Sequence, residues 1–244
     1  VCSWARAIRK PSDLGFDDAA YALPRLHIHE HQIEVDGPMN GMLFAAEAQT
    51  LSERREARRA SLEQRVAECA QKVNAEAGEP WVVWCDLNDE STALVKAIDG
   101  AIEIRGSDDV DTKEERLRAF AEGEARVLVS KPSICGHGLN WQHAARMAFV
   151  GVTDSYEAYY QAVRRCWRFG QKREVHVHIF ASKAEGAVVA NLKRKERDAG
   201  DMAESLSAQT RDAVMKEVTG SHRETNEYSA GRTVEVPAWL REAA

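Results

Sequence analysis

The sequence of 244 residues contains no apolar run near the roughly eighteen residues that a membrane-spanning helix requires, so it offers no candidate for one. It has no CxxC pair, and its five cysteines (Cys2, Cys69, Cys85, Cys135 and Cys166) are odd in number and scattered. That pattern argues against a zinc ribbon and against a disulfide framework, and a reducing cytoplasm is the expected compartment. The opening VCSWARAIRK has no initiating Met and no charged-then-apolar leader pattern, and it reads as the interior of a longer protein. No internal repeat or low-complexity tract is present. An excess of basic residues is also missing: the net charge of −6 excludes indiscriminate polyanion binding by the whole surface. A local basic track stays open, because affinity for phosphates depends on where the charges lie.

What is present suffices for one α/β core and a smaller appendage, with 44% hydrophobic and 30% charged residues. Residues 1 to about 44 are poorly periodic and broken by Pro11, Gly15, Pro24, Gly37, Pro38 and Gly41. Within them LHIHEHQIEV alternates like a strand, which sets His27, His29 and His31 on one face. A metal there would need a further ligand that the strand does not supply, so this face reads as solvated, with no metal. A helix is expected over about 50–76, opened by a capping box of Thr50 and Glu53 and ended by Gly78-Glu79-Pro80. Leu62, Val66, Cys69 and Val73 form its apolar stripe, and its Glu and Arg residues read as a solvated face. Residues 1–80 thus read as a linker or brace.

From Trp81 to about Ala199 short apolar runs alternate with amphipathic stretches. The runs are WVVWC (81–85), AIEI (101–104), RVLVS (126–130), RMAFV (146–150) and VHVHIFA (175–181). Helices are expected near 89–98, 111–122, 156–166 and 183–198, with Asp111 and Asp154 or Ser155 at helix starts. This alternation predicts an α/β domain over 81–200 with a parallel sheet covered on both faces. WVVWC is apolar on both sides, as a central strand should be. Residues 201–244 read as a polar, partly flexible tail whose closing VEVPAWL is more apolar.

Two segments carry chemistry. Residues 161–173, QAVRRCWRFGQKR, hold Arg164, Arg165, Arg168, Lys172 and Arg173 with no acid among them. On a helix Gln161, Arg165 and Arg168 would share one face at i, i+4 and i+7. Two planar guanidinium groups one turn apart suit a phosphoryl group whose charge spreads during transfer. Gly170 would end that helix at the carboxyl edge of the sheet, where open α/β folds bind ligands. The plainer alternative is a solvated basic face. The second segment, residues 130–144, SKPSICGHGLNWQHA, follows a strand, and Gly136 and Gly138 flank His137 and let the backbone turn sharply. Ser130, Lys131 and Ser133 offer donors to a nucleic-acid backbone.

Together these segments resemble motifs V and VI of superfamily-two helicases, and in particular the Swi/Snf-type branch, whose motif VI reads Q-A-x-G-R-x-x-R-x-G-Q. WVVWCDLNDES resembles motif IV, and IEIRGSDDVDTKEERLRAFAEGEARVLVS resembles the approach to motif V. The resemblance spans about 81–197 and implies the C-terminal RecA-like lobe of a DNA helicase or translocase. It implies that Arg165 and Arg168 are arginine fingers, and that Gln161 links the nucleotide site to motif V. It further implies that Gly136, Gly138 and Asn140 form the loop sensing nucleotide and nucleic acid, where Ser130, Lys131, Ser133 and His137 meet the nucleic acid. The sequence departs from the pattern in one place, with Arg164 where the family carries Gly. No GxxxxGK[ST] and no credible DExx box occurs; Asp89-Glu90 reads as a helix-start pair. ATP with Mg²⁺ would therefore be held by an N-terminal lobe, this chain alone would be inactive, and DNA would be the second partner. Two alternatives remain. One is a nucleic-acid or protein adaptor that keeps the lobe fold. The other is a phosphate-binding α/β enzyme, which needs His137 or Asp154 as a base.

Overall fold

The computed structural model describes residues 7–34, 58–136, 138–152, 155–218 and 220. The expected start of the long helix at Thr50 and Glu53, His137, Asp154, and the closing VEVPAWL lie outside the described residues. The chain divides into two compact units, one of residues Asp17–Met202 and one of Val1–Phe16 with Ala203–Ala244.

The larger unit is built on six strands: β1 (Leu26–Ile33), β2 (Trp81–Cys85), β3 (Ala101–Ile104), β4 (Val127–Ser130), β5 (Arg146–Val150) and β6 (Val175–Ser182). They form one sheet in the order β1-β6-β5-β2-β4-β3, every described pairing parallel. Each apolar run read from the sequence is a strand here. WVVWC is buried at every position, which follows from its place between two strands with helices above and below. The helices of this unit are α1 (Leu62–Ala75), α2 (Asn88–Ala97), α3 (Val110–Ala121), α4 (Pro132–Cys135), α5 (Tyr156–Val163) and α6 (Gly186–Val218), the last continuing into the smaller unit. Residues of α1 and α2 pack with Trp81, Val83 and Val127 on one face. Phe120 of α3, Tyr159 and Ala162 of α5 and Leu192 of α6 pack with Val82, Trp84 and Phe149 on the other. Each such large apolar side chain contributes about 1.5–3 kcal/mol by leaving water.

Several expectations are corrected. The cap of α3 is Asp109, whose carboxylate accepts from the Thr112 amide at 2.8 Å, not Asp111. Ser155 caps α5, accepting from the Ala158 amide. The final helix does not stop near 198 but runs to Val218, through much of the expected polar tail. Its inward positions there are Ser207, Thr210 and Val214, a stripe too weakly apolar to stand out as periodic. In the smaller unit that stripe meets the chain start: Ser207 donates to Asp13 at 2.7 Å, and Thr210 bonds both the amide and the carbonyl of Ala7 at 3.3 Å. No helix among the described residues is long and apolar enough to cross a membrane.

The histidine face, expected to be solvated, is half-buried. β1 is the sheet edge and pairs along its length with β6, in the register His27↔His176, His29↔His178 and His31↔Phe180. Burial, followed by repulsion from neighbouring cations, holds His29, His31, His176 and His178 below the usual imidazole range, His178 to about 3. The shift favours the uncharged form of these four rings, which lessens repulsion along the stack. β1 and α1 lie in the same unit as the rest of the sheet, so the boundary expected at residue 80 falls inside it.

The polar face expected for α1 is also wrong at one position. Arg65, three residues after Leu62, falls within the stripe, and its side chain is fully buried against the equally buried Glu90 of α2, Nη1 to Oε1 2.9 Å apart. This contact is an ion pair whose angle falls short of a hydrogen bond. Arg65 donates instead to Ser61 and the Arg58 carbonyl, and Glu90 Oε2 accepts the Asp86 and Leu87 amides. Removing one partner of such a pair strands a charge in the core. Glu90→Ala is expected to cost about 3–5 kcal/mol, read as a lowered midpoint in urea with an unchanged slope. Adding Arg65→Met to Glu90→Ala is expected to recover the part due to the stranded charge, while the Asp86 and Leu87 amides stay without their acceptor. A loss below about 1 kcal/mol in the single variant would mean that the pair is solvated.

Candidate functional site

α5 ends at Val163, three residues earlier than expected, so Arg165 and Arg168 are not on a shared helical face. The cause is Arg165 itself. Its Nε donates to the Gln161 carbonyl at 3.0 Å, the acceptor its own backbone amide would use in a continuing α-helix. The amide turns instead to the Ala162 carbonyl at 3.2 Å, and Cys166 likewise reaches back three residues to Val163. This tight turn brings the two guanidinium groups together by another route. Arg165 Nη1 donates to the Leu139 carbonyl at 2.9 Å, and Arg168 Nη1 reaches the same carbonyl at 3.4 Å. Arg165 Nη2 donates to Gln161 Oε1 at 3.1 Å.

Arg165 is thus 7% exposed and held at three points by neutral acceptors. Among the described residues no carboxylate lies within ion-pair distance of either arginine, whereas Arg58, Arg65, Arg105, Arg116, Arg146 and Arg173 all have one. Burial, and then the Arg168 charge, hold the Arg165 pKa below the usual guanidinium value. Two like charges share one carbonyl, and an anion placed beside them would relieve both terms. Nε and Nη2 of Arg168 have no protein partner among the described residues and remain in contact with solvent. They are free donors for such an anion. Arg164, the departure from the family pattern, points elsewhere: its guanidinium lies 5.8 Å from the Tyr160 ring centre and 5.3 Å from that of Trp167.

The segment after α5 runs back toward the strand starts. Trp167 donates to the Pro24 carbonyl just ahead of β1, and Gln171 donates to the Gln142 and Ala144 carbonyls just ahead of β5 and to the Cys166 carbonyl of its own segment. The pair therefore lies on the return path to the amino ends of β5 and β6, not at the carboxyl rim that the sequence suggested. The loop that receives it is positioned by Trp141, whose amide donates to the Arg165 carbonyl at 2.9 Å and whose ring is buried against Phe120. In this loop Gly138 has φ +75°, Asn140 is exposed, and Gly136 caps α4 so closely that a Cβ would overlap the Pro132 carbonyl.

The remaining candidates lie at the other end of the strand order. Lys131, half-buried, and Ser133, exposed, follow the carboxyl end of β4. Ser130 does not join them: it is fully buried and its hydroxyl is given to the Ile104 carbonyl at 2.8 Å, out of reach of a nucleic-acid backbone. β2 and β5 are neighbours whose onward connections run to opposite sides, and between their carboxyl ends lies a crevice lined by Cys85, Asp86, Ser133, Gly151, Val152 and Tyr159. Its volume of about 130 Å³ is far below the several hundred Å³ usual for a nucleotide-sized ligand. Behind it Arg58 joins Asp86, Glu185 and the Val152 carbonyl. Sequence reasoning missed this network and also the Leu139 carbonyl. The first had a signal in the i, i+3, i+7 spacing of Arg58, Ser61 and Arg65, while a backbone acceptor leaves none.

None of the curated proteins compared matches this chain. Among solved structures it is similar to one described as the crystal structure of the C-terminal part of Fun30 ATPase domain, at 14% identity and a TM-score of 0.45, over 64% of this chain and 53% of that one. The chain thus spans about half the length of that structure. The stretch that holds β2 through β5, the 138–141 loop and both arginines falls within residues 64–170, which match the family model of the helicase conserved C-terminal domain, and the parallel α/β sheet is of the RecA-like class that such a domain requires.

Proposed function

We propose that this chain supplies the C-terminal motor lobe of an ATP-dependent DNA helicase or translocase of the Swi/Snf type. The reading rests on one observation: Arg165 and Arg168 converge on the Leu139 carbonyl with no carboxylate among the described residues to neutralise them. ATP with Mg²⁺ is held by an N-terminal RecA-like lobe, since the sequence has no phosphate-binding loop of its own. Closure of the two lobes brings the uncommitted donors of Arg168 onto the γ-phosphate. Arg165, already committed to three acceptors, supplies fixed positive charge behind it. Charge developing on the phosphoryl oxygens in the transition state then meets guanidinium groups that need no reorganisation. Gln161 positions Arg165 through its carbonyl and its side-chain oxygen. The 138–141 loop, bonded to both arginines at Leu139, couples their placement to the segment from Lys131 to Asn140, where the DNA backbone binds. Differential affinity of the open and closed states for ATP and ADP drives stepping.

In the protein carrying both lobes, Arg168→Ala is expected to lower DNA-stimulated ATP turnover by about 10³-fold or more, with the Kd for ATP changed less than threefold as a matter of about 0.6 kcal/mol. Turnover near the wild-type rate would remove Arg168 from the nucleotide site and favour an adaptor that only keeps the lobe fold. Lys131→Ala is expected to weaken DNA binding and to make the slope of log K against log salt shallower by about one. An unchanged slope would take Lys131 off the backbone track.

A further inference from the structure

The geometry points to a divalent metal site at the amino end of the β1–β6 edge, formed by His27, Glu174 and His176, that takes Zn²⁺ or an ion of similar borderline character. One ring nitrogen of each histidine and one oxygen of Glu174 lie within 4.8 Å of one another. The ladder does not use its ring nitrogens evenly. The rings interleave across the two strands, His27 against His176 at 4.6 Å between centres, His29 against His178 at 4.5 Å and His31 against Phe180 at 4.4 Å. Inner rungs are closed: His29 Nε2 bonds His176 Nδ1 at 3.0 Å, and His31 Nε2 bonds His178 Nδ1 at 2.9 Å. The first rung differs. His27 Nε2 meets no imidazole but Glu174 Oε2, at 2.9 Å, and His176 keeps its Nε2 free of any hydrogen bond among the described residues.

Two imidazole nitrogens and a carboxylate oxygen are therefore gathered at the open end of the ladder, where the His27 side chain is 25% exposed and Glu174 60%. This is a His₂Glu set with a position left for water, the chemistry of zinc and of its neighbours cobalt and nickel rather than of magnesium or calcium. Bonds of about 2.0–2.2 Å place the ligand atoms of a tetrahedral site roughly 3.3–3.6 Å apart. Atoms at the 4.8 Å limit would close by about an ångström, which the exposed Glu174 side chain can supply. The hydrogen bond from His176 to His29 serves as the outer support that fixes a ligating ring and its tautomer. Lys72 and Arg146, the cations that face the ladder, both bond Glu76 and so are partly neutralised. A bound ion would clip the edge strand to β6.

The test uses the full chain titrated with Co²⁺ and then Zn²⁺ in a buffer that does not chelate them. One Co²⁺ per chain is expected, with the visible absorption of a low-coordinate N/O site, displaced by Zn²⁺. Zn²⁺ is expected to raise the melting temperature. Glu174→Gln, at an exposed position that leaves the fold intact, and His27→Ala are each expected to weaken binding about tenfold or more. His31→Ala, at the far end of the ladder, is expected to keep it within about threefold. No binding at millimolar Co²⁺ overturns the site. So does binding that Glu174→Gln and His27→Ala leave unchanged, or binding that His31→Ala weakens as much as His27→Ala does.

Discussion

The arginine site depends on a single guanidinium group that replaces a backbone amide. By donating to the Gln161 carbonyl, Arg165 ends α5, and by donating to Leu139 it ties that end to the loop following α4. The Trp141 amide returns a bond to the Arg165 carbonyl, so the tie runs both ways. Arg168, three residues further on, reaches the same carbonyl. A continuing α-helix would keep the Gln161 carbonyl for the backbone, and the two charges would then lie along a helix face with water between them. Burying a cation against neutral acceptors costs free energy that a nearby carboxylate would ordinarily offset. The structure tolerates that cost at Arg165, and this is the physical ground for treating the pair as waiting for an anion.

The sheet was legible in the sequence because its central strands have apolar side chains on both faces and sharp polar borders. WVVWC, RVLVS and RMAFV could hardly be anything else, and the order of helix and strand fixed the parallel pairing. The functional segments were legible as residue types at a spacing. Their geometry was not, because the end of α5 is decided by a side-chain-to-backbone bond that no periodicity encodes. Ser130 illustrates the limit: as a hydroxyl after a strand it reads as a donor, yet it closes an internal bond to Ile104. Charge at α1 misled for a related reason. Arg65 falls at core spacing, and a lone Arg in an apolar stripe is read as solvated unless its acid, Glu90, is seen to approach from another helix. The extension of α6 was hidden because its inward residues are Ser, Thr and Ala as much as Leu and Val.

Two polar constructions divide the larger unit. At the carboxyl ends of β2 and β5, Arg58, Arg65, Asp86, Glu90 and Glu185 neutralise one another beneath a crevice too small for a nucleotide. Among the described residues Arg165 and Arg168 have no such acids. The same residue type thus serves opposite ends: where carboxylates converge on it, it braces the junction of α1 with the sheet, and where only carbonyls do, it keeps unspent charge. Telling these apart needs the partners of each guanidinium, not the number of arginines.

The strand order has a consequence for how the chain is made. Among the described residues the edge strand β1 pairs with β6 alone, the last described strand in the chain, and the ring bond between His29 and His176 joins residues 147 positions apart. A ribosome adding about 5–20 residues per second leaves β1 without its neighbour for roughly 7–30 s. During that interval the strand LHIHEHQI has its backbone donors and acceptors open to other chains. Polar imidazoles at alternate positions make such an edge less apolar than Val or Ile would.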